Sequence, residues 1–140
     1  MKQINSDGGC LCGEIRYRVT GANLGSAACH CRDCQYLCGG APAYVVVVAK
    51  TALEILQGKP ATFVNTAAGG AERARRFCPT CGTPLFAENS NYPLTVSIKV
   101  GSLDDAASFM PEAHFWMASA PSWHVIDPAI RAFPRGPGNP

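Results

Sequence analysis

The chain has 140 residues, 47% of them hydrophobic, which suits the core of one domain and leaves little room for two. Twelve Lys and Arg against ten Asp and Glu leave a formal charge of +2, without the basic stripe that a nucleic-acid-binding surface needs. The most apolar run, residues 43–49, is far too short to span a bilayer, and Met1-Lys2-Gln3-Ile4-Asn5 is not followed by the apolar stretch of a secretory signal. The expectation is a cytoplasmic protein with no membrane or nucleic-acid partner. In that reducing compartment eight cysteines point to metal ligation rather than disulfides.

In chain order, residues 14–19 alternate with period two, placing Ile15, Tyr17 and Val19 on one face of a half-buried strand. Residues 32–37 suit a helical turn. Residues 43–49, rich in Val, predict a strand covered on both sides. Further strands are expected over 62–64, 74–78, 85–88, 94–100 and 114–117, with a second helical turn over 102–107. Gly58-Lys59-Pro60, Gly69-Gly70 and Asn89-Ser90-Asn91 mark the reversals between them. Arg73, Arg75 and Arg76, alternating around Ala74, read as the solvent face of a strand. The pattern is mainly antiparallel β in a single domain over residues 1–133, with a loose Pro/Gly-rich tail over 134–140.

Seven of the eight cysteines fall into three tight groups: Cys10-Leu11-Cys12, Cys29-His30-Cys31-Arg32-Asp33-Cys34 and Cys78-Pro79-Thr80-Cys81. The last is a zinc knuckle, with Pro79 fixing φ at the turn and Gly82 free to adopt a left-handed backbone after the second thiolate. A structural zinc takes four ligands at roughly 2.3 Å. Cys10 and Cys12, flanked by glycines that let the backbone curl around an ion, supply the other pair. Ligation would close a loop of about 65 residues, so binding energy becomes folding energy.

The middle group has three cysteines for an ion of its own. In an extended Cys-x-Cys the two thiolates share a face and His30 points away from them, into packing or a supporting contact. Cys34 reaches back if the chain turns at Arg32-Asp33. Three protein ligands with an open fourth position is the arrangement of a catalytic zinc. Cys38, four residues after Cys34, either stays a spectator thiol or closes the site as a fourth ligand and makes it structural.

The motifs Gly-x-Cys-x-Cys-Gly, Cys-His-Cys-x-x-Cys and Phe77-Cys78-Pro79-Thr80-Cys81-Gly82-Thr83-Pro84-Leu85 resemble the glutathione-dependent formaldehyde-activating enzyme family, which also includes centromere protein V. Val100-Gly101-Ser102-Leu103-Asp104-Asp105 and the Pro111–His114 segment add to the resemblance, which covers roughly residues 6–124. The resemblance implies a β-tent fold, held by zinc and shared with a Rab-GTPase exchange-factor group and the translationally controlled tumour proteins. It implies two Zn²⁺ per chain. Cys10, Cys12, Cys78 and Cys81 match the family's structural zinc ligands, and Cys29, Cys31 and Cys34 match its catalytic ones.

Three thiolates over-neutralise Zn²⁺, leaving an ion that polarises water weakly but suits a thiol substrate held as thiolate. The expected activity is that of a carbon–sulfur lyase acting on glutathione or a similar thiol and on formaldehyde, another small aldehyde, or the S-hydroxyalkyl adduct. The reading from another class is a non-catalytic, zinc-stabilised protein-binding module with its second site closed. His114 and His124 are acid–base candidates only because imidazole titrates near neutrality. Trp116, Trp123 and Phe115 either line a pocket or, as is more frequent for aromatics at such spacing, belong to the core.

Overall fold

A computed structural model describes residues 2–137. Among them lie β1 (Gln3–Gly9), β2 (Arg16–Ala22), β3 (Gly25–Cys29), α1 (Arg32–Leu37), β4 (Ala43–Ala49), β5 (Leu53–Gln57), β6 (Ala61–Thr66), β7 (Glu72–Phe77), β8 (Pro84–Asn89), β9 (Thr95–Lys99), β10 (Ala113–Phe115) and β11 (Arg131–Ala132). They form a three-stranded sheet in the order β1-β2-β5 and an eight-stranded sheet in the order β11-β10-β3-β4-β9-β8-β7-β6. Pairing is antiparallel except where β10 runs parallel to β3 and to β11. The mainly β expectation therefore holds, with α1 where a helical turn was expected. No helix among the described residues is long and apolar enough to cross a membrane.

The core lies between the sheets. Ile15, Tyr17 and Val19, the apolar face read from the alternation, are wholly buried against Val46, Val48, Phe86, Val96 and Ile98 of the large sheet. Tyr17 meets Phe86 edge to face with ring centroids 4.9 Å apart, and its hydroxyl bonds Ser102 Oγ at 2.6 Å. Polar β1 was not foreseen as a strand. It is held by pairing with β2 and by Gly8, where a Cβ would collide with the Tyr17 ring and the Ser102 carbonyl. Gly8 thus serves a close approach to Tyr17 rather than a curl around an ion.

Three expectations need correction. Strand β4 is not covered evenly: Val46 and Val48 are buried in the core but Tyr44 on the same face is 43% exposed, while on the other face Ala43 is buried and Val45 and Val47 are half-buried. A valine run looks the same whether a strand is sandwiched or lines a groove. Residues 102–107 do not form a helical turn. A 3-10 turn spans Val100–Ser102, and the chain then joins the small sheet's edge, with Leu103 bridging Gly8 and Asp104 N–H donating to the Asp7 carbonyl. Arg16 clamps Asp104 there with two hydrogen bonds, which an isolated helical turn could not match. The strand expected over 114–117 ends at Phe115, because Trp116 takes a left-handed φ of 61°.

Of the tail expected to be loose from Pro134, residues 138–140 lie outside the described residues. The carbonyls of Phe133, Pro134 and Arg135 accept hydrogen bonds from Met117, Ala118 and Trp116.

Candidate metal centres

The first centre joins two turns distant in sequence. The turn after β1 carries Cys10 and Cys12, and the turn between β7 and β8 carries Cys78 and Cys81. All four sulfurs lie within 4.8 Å of one another. Cys10 Sγ is 3.5 Å from Cys12 Sγ, which is 3.8 Å from Cys78 Sγ although the residues are 66 positions apart. Tetrahedral zinc with Zn–S near 2.3 Å holds its sulfurs about 3.8 Å apart, so the donor set fits. Backbone N–H groups face the sulfurs as thiolates require: Ile15 N–H donates to Cys10 Sγ, and those of Thr80 and Cys81 to Cys78 Sγ. Gly82 takes φ 77°, the left-handed backbone expected after the knuckle. The Thr83 hydroxyl, with its backbone N–H, holds the Cys81 thiol down to about 5.

The second centre sits at the end of β3 and the start of α1. The sulfurs of Cys29, Cys31 and Cys34 lie within 4.8 Å of one another, and Cys38 is not in that group. Cys31 caps α1, its sulfur accepting from Cys34 N–H at 3.4 Å. Hydrogen bonds from Cys29 and Cys34 hold Cys31 far down, at about 2, while the same partnership pushes Cys29 up. Burial raises the Cys38 thiol.

His30 turns away from the sulfurs and is 1% exposed. Its Nδ1 lies 2.9 Å from His124 Nδ1 and its Nε2 lies 2.9 Å from His114 Nδ1. These are all the histidines in the chain. Gln35, buried in α1, latches the turn by donating from Nε2 to the carbonyls of His30 and Ser119. His30 N–H donates to the Phe115 carbonyl, tying the turn to β10.

A family model described as glutathione-dependent formaldehyde-activating enzyme matches residues 5–119. The chain belongs to that family. A crystal structure of a Rhodobacter sphaeroides protein superposes with a TM-score of 0.56 at 20% identity, covering 71% of this chain and 88% of that one. That likeness concerns the fold alone. Among curated proteins none matches the chain.

Around the family's Cys-His-Cys-x-x-Cys segment stand residues that the sequence reading missed. Strand register places Cys29 and Ala43, Ala27, Val45 and Lys99, and Ser97, Ala87 and Arg75 on one face of the large sheet, the face that α1 packs against. Arg75 is not on a solvent face: it is 8% exposed, with Nε donating to Asn65 Oδ1 at 2.7 Å and a guanidinium nitrogen 3.5 Å from Asp33 Oδ2. Asn65 donates to the same Asp33 oxygen at 3.1 Å. Alternation alone told that Arg73 and Arg75 share a face, but not that a helix would cover the second of them. The histidine trio left no local signal at all, since its members come from three separate segments.

Proposed function

We propose that this protein is a zinc-dependent enzyme that joins a small glutathione-like thiol to a small aldehyde, or takes the S-hydroxyalkyl adduct apart. One observation carries the reading: the sulfurs of Cys29, Cys31 and Cys34 converge while that of Cys38 stays outside the group, giving three donors rather than four. The family's name supplies the substrate pair. Zinc at this centre would offer a soft, weakly polarising acceptor for a substrate sulfur in its thiolate form. The chain's own part is to fix that position, with Cys29 at the end of β3, Cys31 at the N-cap of α1 and Cys34 in its first turn. Gln35 and the histidines hold this turn rigid from behind. In the joining direction the thiol gives its proton to solvent and its sulfur bonds the carbonyl carbon. The carbonyl π pair moves to oxygen, which takes up a proton from solvent. The reverse is a carbon–sulfur lyase step.

The four-cysteine centre, on this reading, holds a second and structural zinc that ties the turn after β1 to the turn between β7 and β8. The two sheets then form one zinc-braced β-tent.

Mixing glutathione and formaldehyde with zinc-loaded protein, and following adduct exchange by proton NMR, tests the reading. Exchange should exceed the spontaneous rate and fall back to it in Cys31→Ser with the fold retained. Exchange no faster than in buffer sinks the proposal.

A further inference from the structure

The proposed reaction moves negative charge from sulfur to a carbonyl oxygen, and a buried site must meet that charge with a donor. Two cations stand on the sheet face that carries Cys29, each 8% exposed: Arg75 and Lys99. They are not equivalent. Arg75 is engaged, with Asn65 Oδ1 on its Nε and the Asp33 carboxylate on its guanidinium. Lys99 Nζ has no hydrogen-bond or carboxylate partner among the described residues. Its register partner is Val45 on β4, two residues from Ala43, which is in turn the register partner of Cys29. Lys99 therefore lies two strands across, with β4 between, and one same-face step along from Cys29. Its charge partly offsets the upward shifts of the Cys34 and Cys38 thiols, and that of Arg75 adds to the downward shift of Cys31. A largely buried lysine whose ammonium has no protein partner is free to meet an anionic group that enters beside it.

Strand β9 also holds this lysine in place. Ser102 Oγ donates to the Lys99 carbonyl at 2.7 Å and is bonded in turn to the Tyr17 hydroxyl. The backbone beneath the ammonium is thus pinned to the centre of the core, as an electrostatic donor requires if it is not to reorganise during reaction.

We propose that Lys99 is the oxyanion-stabilising cation of this site: its ammonium receives the carbonyl oxygen of the aldehyde while Asp33 and Asn65 keep Arg75 out of that role. The inference rests on the carbon–sulfur reading above. The ammonium stays charged throughout. The sulfur–carbon bond forms, the carbonyl π pair goes to the oxygen facing Nζ, and the proton that oxygen finally takes comes from solvent, balancing the one the thiol released.

The test compares zinc-loaded wild type with Lys99→Met, which keeps the length of the stem, and Lys99→Arg, which keeps the charge. Adduct formation is measured for kcat, and glutathione binding without aldehyde is measured by calorimetry. The expected result is a fall in kcat of about 10²-fold or more in Lys99→Met. The glutathione Kd should stay within about threefold of wild type, and Lys99→Arg should recover at least about tenfold of the loss. An unchanged kcat, or a loss explained wholly by weaker glutathione binding, overturns the assignment. Should Lys99→Met fail to fold, formate on wild type decides, as a one-carbon anion presenting oxygen. Inhibition competitive with the aldehyde supports the role, and inhibition competitive with glutathione, or none, overturns it. Wild type that accelerates nothing overturns the carbon–sulfur reading and this role together. Acceleration that Lys99→Met leaves intact overturns the role of Lys99 alone.

Discussion

His30 Nε2 lies 2.9 Å from His114 Nδ1 across 84 positions of sequence, and the other side of the same ring meets His124. The chain of rings ends on the Gly40 carbonyl, 2.7 Å from His124 Nε2. A carbonyl can only accept, so His124 carries its proton on Nε2 and accepts on Nδ1. That places the His30 proton on Nδ1, and with His30 neutral its Nε2 accepts from a proton on His114 Nδ1. The free end of the relay is His114 Nε2, a buried acceptor without a protein donor among the described residues.

The first prediction follows from that chain. Long-range proton–nitrogen NMR should find His30 and His114 as Nδ1–H tautomers and His124 as the Nε2–H tautomer. Burial first, then the neighbouring His114 and His124, push the His30 pKa down to about 4, and burial lowers His114 as well. For a base lowered on folding, the stabilisation is complete above the unfolded value of about 6.5 and is lost as pH falls from there toward the folded value. His30 should therefore remain neutral at pH 5.5, where an unfolded histidine is mostly charged. An imidazolium signal from His30 at that pH would contradict the geometry.

Gln35 gives the second prediction. Gln35→Ala leaves the His30 and Ser119 carbonyls without their donor and Arg32 without its acceptor at Oε1. Each buried group left unpaired costs about 1–3 kcal/mol. Urea unfolding should show a loss of that order. The cysteines of the second centre should also react faster with a thiol reagent in the apo protein, because the turn that presents them is unlatched.

Gly8 and Gly13 form a third, paired prediction. Alanine at Gly8 would drive its Cβ into the Tyr17 ring and the Ser102 carbonyl, neither of which can move without disturbing the core. Alanine at Gly13 meets nothing within 4 Å and suffers only from a φ of +81°. Gly13→Ala should cost about 1 kcal/mol and Gly8→Ala clearly more, about 3 kcal/mol, as judged by chemical denaturation. Equal costs would mean that β1 does not pack on Tyr17 as described.

The fourth prediction separates the two centres. Cys78 is wholly buried and links turns 66 positions apart, whereas Cys29, Cys31 and Cys34 span one local turn. Closing a long loop adds more to stability than closing a short one. Cys78→Ser should unfold the protein or lower its melting temperature by more than about 10 °C. Cys34→Ser should remove one zinc per chain in native mass spectrometry and leave the far-ultraviolet circular dichroism unchanged. The reverse order of sensitivity would show that the three-cysteine centre is the one holding the fold.

Much of this protein was legible in one dimension. The alternation of Ile15, Tyr17 and Val19 set the core face of β2, because a pleated strand sends every second side chain to the same side. The short spacings Cys10–Cys12, Cys29–Cys31–Cys34 and Cys78–Cys81 determined which sulfurs could share an ion, since those distances are bounded by a few backbone bonds. That His30 turns from its neighbouring cysteines came from the same pleat.

What only the tertiary structure decided involves residues far apart in sequence. Polar β1 became a strand because β2 offered it a pairing edge and Gly8 let it approach Tyr17. Arg75 became buried because α1, itself placed by β3 and β4, set Asp33 against it while β6 supplied Asn65. Lys99 came to stand on the face of the thiol cluster because β9 pairs with β4 and β4 with β3. His114 met His30 because β10 runs parallel to β3, and His124 joined them from the segment that follows β10. None of these is a property of a short window of sequence: each depends on which strand edge pairs with which, and that choice is made by the free energy of the whole packed core.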